Sequence, residues 1–198
     1  MHRRMAVCVL VVVVGLGVPA CEPYPSEPSF DPLPPPQAQP ARELPVPFVA
    51  QQTPVWCWAA VSEMVFRYYG RGAAQCQVLT GWVGGDCCRA PGLCMAAAPT
   101  MEVIQQTLYG FAGLRSLRAG APLPFEAVVR EIDAGRPLIV AYRGSFSGHV
   151  VVVYGYDLRT GTVSIHDPFY GTFHVPYSQT FAYKGQLLWI DTLYGIGA

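Results

Sequence analysis

The segment PVWCWAA, residues 54–60, sets Cys57 between Trp56 and Trp58. A thiol so placed can be inert filler, half of a disulfide, or a nucleophile. From Cys57 onward, CWAAVSEMVFRYYG puts Val61, Met64, Val65 and Tyr68 at i, i+3, i+4 and i+7, an apolar helical stripe, with Gly70 as a stop. Pro54 breaks any helix that would begin earlier. Cys57 is therefore expected in the first turn, where unpaired amides and the positive dipole end favour an anion. That favours thiolate, the nucleophilic form. Apolar burial by the indoles acts the other way, so a partner base has to decide.

The chain has four histidines. His149 follows the flexible stretch GSFSG and opens the β-branched and aromatic run HVVVVYGY, so it is expected at a strand mouth, projecting into a cleft. His166 (in VSIHDP) and His174 (in GTFHVPY) suit ordinary strand positions. An imidazole base also needs a group to fix its tautomer and orientation. Asp157 ends the same strand as His149, about 26 Å away at ~3.3 Å per residue, and cannot reach. DLRTGT turns the chain back, so 149–156 and 162–167 form an antiparallel hairpin that brings Asp167 close. A one-residue slip in register would present His166 instead. Asp167 before Pro168 also suits a turn-capping role in DPFYG. An oxyanion would be met by the Cys57 amide and a side-chain amide upstream, Gln51 or Gln52.

Seven cysteines are present. Four of them, Cys76, Cys87, Cys88 and Cys94, crowd into QCQVLTGWVGGDCCRAPGLC, a glycine-rich stretch expected to be loop. In an oxidising compartment such cysteines pair. A ring joining adjacent Cys87 and Cys88 is strained, which leaves 76–87 with 88–94, or 76–88 with 87–94. The spacing lacks the paired knuckles of common zinc folds, so no metal or other cofactor is expected. Of the other three, Cys8 falls in a signal-like N-terminal segment and Cys21 is a candidate for lipidation, so the thiol left over is Cys57.

The first 20 residues, MHRRMAVCVLVVVVGLGVPA, have the charged-then-apolar layout of a bacterial-type secretory signal and are too short in their apolar run to span a bilayer. VPAC, ending at Cys21, resembles a lipobox, so Cys21 is a candidate for lipidation. Simple secretion, with cleavage before Cys21, is the alternative. Residues 22–47 are rich in proline and are expected as a semi-rigid polyproline tether. With 13 basic and 13 acidic side chains the formal net charge is zero, which argues against nucleic acid as the main partner. The remaining 48–198 suit one packed domain.

These pieces, Gln51 with CWAA at 57–60, GRPLIV at 135–140, GHVVVVYGYD at 148–157 and VSIHDPFYG at 163–171, resemble in order the papain-like cysteine peptidases. The likeness is strongest to a bacterial branch that holds the C39-like double-glycine leader peptidases and the type III effector proteases. The resemblance implies Cys57 as nucleophile, His149 as general base and acid, Asp167 as orienter, and Gln51 ahead of Gln52 as oxyanion donor. It implies an α+β, two-lobed fold: a helical lobe at about 48–122 carrying the Cys57 helix, and an antiparallel β half-barrel at about 123–198. Helices are expected at TMEVIQQTLYG and FEAVVREIDAG, and five strands from RPLIVAY to GQLLWIDTLYG. The cysteine cluster stands outside the minimal leader-peptidase pattern. The expected activity is hydrolysis of a peptide or protein substrate. A transglutaminase or glutamine deamidase using the same triad is one alternative, and a non-catalytic binding module is the other.

Overall fold

The computed structural model describes residues 39–98, 100–144 and 148–197. The signal-like segment, Cys21 and the tether through residue 38 lie outside them, as do residues 145–147 of the loop before His149. The five expected strands are β3 (Leu138–Arg143), β4 (Gly148–Asp157), β5 (Thr162–Asp167), β6 (Gly171–Pro176) and β8 (Leu187–Gly197). Three short strands join them: β1 (Ala41–Glu43), β2 (Arg115–Arg118) and β7 (Ala182–Tyr183). All pairings are antiparallel, in the order β2-β8-β3-β4-β5-β6, with β1 on β4 and β7 on β8. Residues 138–142 of β3 and 150–156 of β4 are buried throughout. Their near-continuous apolar runs match a sheet centre covered on both faces. Edge strand β6 instead alternates between partly buried and exposed positions.

Two expected boundaries move. The tether expected through residue 47 ends sooner, because Ala41–Glu43 pair with Gly155–Asp157 and Leu44 donates its amide to the Tyr154 carbonyl at 2.8 Å. In the following extended ELPVP stretch, Leu44 and Val46 alternate inward while Pro45 and Pro47 face solvent. Gly155 permits this crossing, since a Cβ there would meet the Arg42 carbonyl at 2.8 Å and the Glu43 side chain at 2.7 Å. The second change is β2, which lies within the lobe expected at about 48–122 to be the helical one yet hydrogen-bonds to β8.

The helical side comprises α1 (Cys57–Tyr68), α2 (Gln75–Val83) and α3 (Met101–Ala112); α2 corrects the loop expected there, because its Val78 and Leu79 bury into the core. α1 is more than a stripe: Trp58 through Phe66 are all buried, because α2 and α3 pack on it from one side and β4 from the other. α3 has Glu102 in its first turn and ends on Gly113, whose left-handed φ of 65° turns the chain so that the Leu114 amide reaches back to the Leu108 carbonyl at 3.1 Å. α4 (Phe125–Asp133) lies against β4 and β1 and buries Val128, Val129 and Ile132. Together these give the mixed helix and antiparallel-sheet architecture of the papain-like peptidases.

Two disulfides close the loop region after α2, Cys76–Cys88 and Cys87–Cys94, which selects the second of the two expected pairings. Cys57 is free and partly buried.

Candidate active site

Cys57 occupies the first position of α1, where helix geometry leaves its amide without an intrahelical partner. The flanking indoles are committed elsewhere. Trp56 is fully buried and donates Nε1–H to the Cys94 carbonyl at 2.8 Å; Trp58 donates to the Ala96 carbonyl at 3.0 Å. Both tryptophans therefore grip the chain that leaves the disulfide Cys87–Cys94. The same segment continues as Ala97 and Ala98 along one wall of a cleft of about 890 Å³, whose lining includes Gln51, Cys57 and His149.

His149 is the second residue of β4 and approaches the cleft from the sheet side. Its Nε2 lies 2.8 Å from Asp167 Oδ1. A carboxylate can only accept, so Nε2 carries the hydrogen. That leaves Nδ1 for Cys57, which lines the same cleft. Burial alone would lower the pKa of His149. The bond to Asp167, then the neighbouring Cys57 sulfur, outweigh burial and push it up to about 9. At neutral pH the ring is thus an imidazolium held between an acid and a sulfur.

Asp167 is fully buried. Its Oδ1 accepts from His149 and from the amides of Phe169 and Tyr170 at 2.9 and 3.1 Å, while Oδ2 accepts from the Tyr183 hydroxyl at 3.0 Å. Burial works to raise its pKa, but the His149 hydrogen bond and charge, and then the two amides, hold it below the ordinary value. The turn-capping role and the histidine contact fall on the same carboxylate. Register explains why Asp167 and not His166 meets His149. β5 pairs Val152 with His166 and Val153 with Ile165, so Asp167 falls beside Val151, on the face of His149.

His166 faces the other way. Its Nε2 donates to the Val46 carbonyl and its Nδ1 accepts from the Thr172 hydroxyl, both at 2.9 Å, while its ring stacks on Tyr154 at 4.0 Å. Burial pushes its pKa down, so it remains a neutral structural residue. His174 is exposed on β6, bonded to the Ser164 hydroxyl.

Gln51 lines the cleft, whereas the Gln52 side chain is exposed. The Gln51 amide nitrogen of the backbone donates to the Pro168 carbonyl at 2.9 Å, which ties the strand before α1 to the Asp167 turn. One hydrogen of its side-chain Nε2 is held by the Thr53 carbonyl at 2.8 Å. The second hydrogen has no such claim on it. Sequence patterns did not point to the support around Gln51. Gln75 accepts from the Gln52 amide and donates to the Ala50 carbonyl, both at 2.9 Å, bracketing Gln51 on either side. Glu63, buried in mid-α1, in turn accepts the Gln75 amide at 2.9 Å and caps α2 from a distance. Tyr183 and Gln75 both act over long stretches of chain, and no local spacing announces them.

The profile of the Peptidase_C39 like family matches residues 43–189. Solved structures share the fold, two of them peptidases of transporters. One is the peptidase domain of Streptococcus ComA, a bifunctional ABC transporter involved in a quorum-sensing pathway; it is 15% identical, covers 77% of this chain and 98% of its own, and has a TM-score of 0.56. The other is a double glycine motif protease from an AMS/PCAT transporter in complex with the leader peptide, 18% identical, covering 77% of this chain and 93% of its own with a TM-score of 0.52. No curated protein sequence matches this chain significantly. The family profile spans most of the chain, and the chain belongs to the Peptidase_C39-like family of papain-fold cysteine peptidases.

Proposed function

We propose that the chain hydrolyses peptide bonds through Cys57, His149 and Asp167, with the Cys57 amide and Gln51 Nε2 receiving the oxyanion. The observation that carries this reading is a free sulfur at a helix N-terminus in the same cleft as His149, whose ring is bonded to a buried carboxylate. In the resting site the sulfur's proton resides on His149 Nδ1. Sγ attacks the substrate carbonyl carbon, and the carbonyl electrons move onto oxygen. When the tetrahedral intermediate collapses, the C–N bond breaks and His149 gives its proton to the leaving amine. Neutral His149 then takes a proton from water, whose oxygen attacks the thioester; C–S cleavage releases a carboxylic acid and restores the pair. A peptide as substrate is supported by the transporter-linked protease bound to a leader peptide, a property of that protein carried here as part of the proposal.

Export, with acylation of Cys21 holding the domain at a periplasm-facing or outer cell surface, is proposed from the signal-like segment and VPAC alone. Metabolic labelling with a fatty-acid probe tests it: label lost in Cys21→Ala supports the anchor, and an unlabelled, freely secreted chain refutes it. For the chemistry, the full chain is incubated with labelled casein and separately with glutamine peptides. Casein cleavage abolished in Cys57→Ala supports the peptidase. Ammonia release without cleavage assigns a deamidase or transglutaminase. Neither activity, with Cys57 as inert as a free thiol, leaves a binding module.

A further inference from the structure

We infer that Tyr183 is a positioning residue of the site: its hydroxyl holds the second oxygen of Asp167 so that the first stays aligned on His149. The inference rests on the peptidase reading above. An ionised carboxylate removed from water needs donors on both oxygens. Among the described residues, Oδ1 of Asp167 has three, His149 and the amides of Phe169 and Tyr170, whereas Oδ2 has the Tyr183 hydroxyl alone. A group gripped at one oxygen can pivot about it, and the Tyr183 bond fixes the carboxylate plane. Burial, and then the charge of Asp167, push the Tyr183 pKa up, so the hydroxyl keeps its proton and can only donate.

The local fold is built to deliver this hydroxyl. β7 returns into β8 through a tight turn in which Lys184 and Gly185 have φ of 51° and 72°. Lys184 is the one non-glycine residue with positive φ among the described residues, a conformation kept only where surroundings over-determine it. Here they do. The Tyr183 ring stacks on Tyr142 at 5.0 Å, and Tyr142 is the β3 partner of His149. The Lys184 ammonium sits over the Tyr170 ring at 4.2 Å. Tyr170 in turn packs edge-on against His149 at 6.5 Å. Consecutive residues of one strained turn thus hold the two ends of the Asp167 turn, Tyr183 its carboxylate and Lys184 its aromatic residue.

Tyr183→Phe keeps the ring and its stack and removes only the hydroxyl. With labelled casein as substrate, the full chain carrying this change is expected to lose about tenfold in kcat, the worth of one hydrogen bond to a charged acceptor, with KM unchanged. In the Asp167→Asn background the same change should cost nothing further, because its target carboxylate is gone. Losses that multiply in the double variant, or a raised KM with kcat kept, overturn the inference. A second readout needs no substrate: the proton NMR signal of the His149 ring N–H bonded to Asp167 must shift in Tyr183→Phe, and an unmoved signal overturns the inference. Absence of turnover in the wild type would instead remove the peptidase reading, and the NMR comparison would still judge Tyr183.

Discussion

Cys57 is presented to the cleft because its neighbours are engaged elsewhere: both indoles turn to the carbonyls of Cys94 and Ala96, and the sulfur remains free beside the His149 ring. Gln51 is placed with comparable care, bracketed by Gln75 and tied to Pro168. If its Nε2 receives the oxyanion, Gln51→Ala should lower kcat by about 10²–10³-fold while the melting temperature stays near that of the wild type. A drop of only two- or three-fold would leave the Cys57 amide as the working donor. At this scale the sequence pointed to the residues now found together at the cleft wherever they sat on a local signal. Cys57 was the odd thiol, His149 stood between a glycine-rich loop and a buried strand, and Asp167 ended the returning strand before a proline. Tyr183 and Gln75 were silent because each works through a hydrogen bond to a residue 16 or more positions away, which spacing does not encode.

The elements do the positioning. α1 is buried on every side, so its N-terminus is fixed by the core and cannot drift relative to β4. The crosslinked loop supplies the other half of the frame: Cys76 opens α2 beside Gln75, and Cys94 leads directly into the segment gripped by the tryptophans. Replacing Cys87 and Cys94 together by alanine should cost about 2–4 kcal/mol in urea unfolding. It should also reduce casein turnover at temperatures where the variant is still folded, because the cleft wall at Ala96–Ala98 loses its tether. Full turnover in a folded variant would mean that the tryptophan contacts hold the wall unaided. The strands and helices with long apolar runs were legible from periodicity, apart from α2, which lies in a stretch read as loop. β1, β2 and β7 were not. They have two to four residues each, and β1 follows a proline-rich stretch whose composition suggests no fold, so only pairing with β4 reveals it.

Over the whole molecule, a site assembled from the neighbouring strands β4 and β5 and from the helical lobe ties the His149–Asp167 pair to folding. His149 is raised from 6.5 to about 9 in the folded state. A group whose pKa rises on folding adds stability that is complete below its unfolded value and is lost as pH climbs through its folded one. The His149–Asp167 pair should therefore contribute about 3 kcal/mol at pH 6 that fades between pH 6.5 and 9. Asp167, held low, describes the same interaction from its acid side, where the contribution is lost as pH falls through its depressed pKa. Urea midpoints measured across that range should show the loss in the wild type and a flatter profile in His149→Ala. Equal profiles would place the histidine's proton outside the folding equilibrium. The most direct test of the central claim is the rate at which iodoacetamide labels each cysteine of the full chain at pH 7. An ordinary thiol is only about 3% ionised there. Because the sulfur's proton is assigned to His149, Cys57 should label selectively and fast, and His149→Ala should slow it about tenfold or more. Labelling no faster than that of glutathione, and unchanged in His149→Ala, would contradict the account.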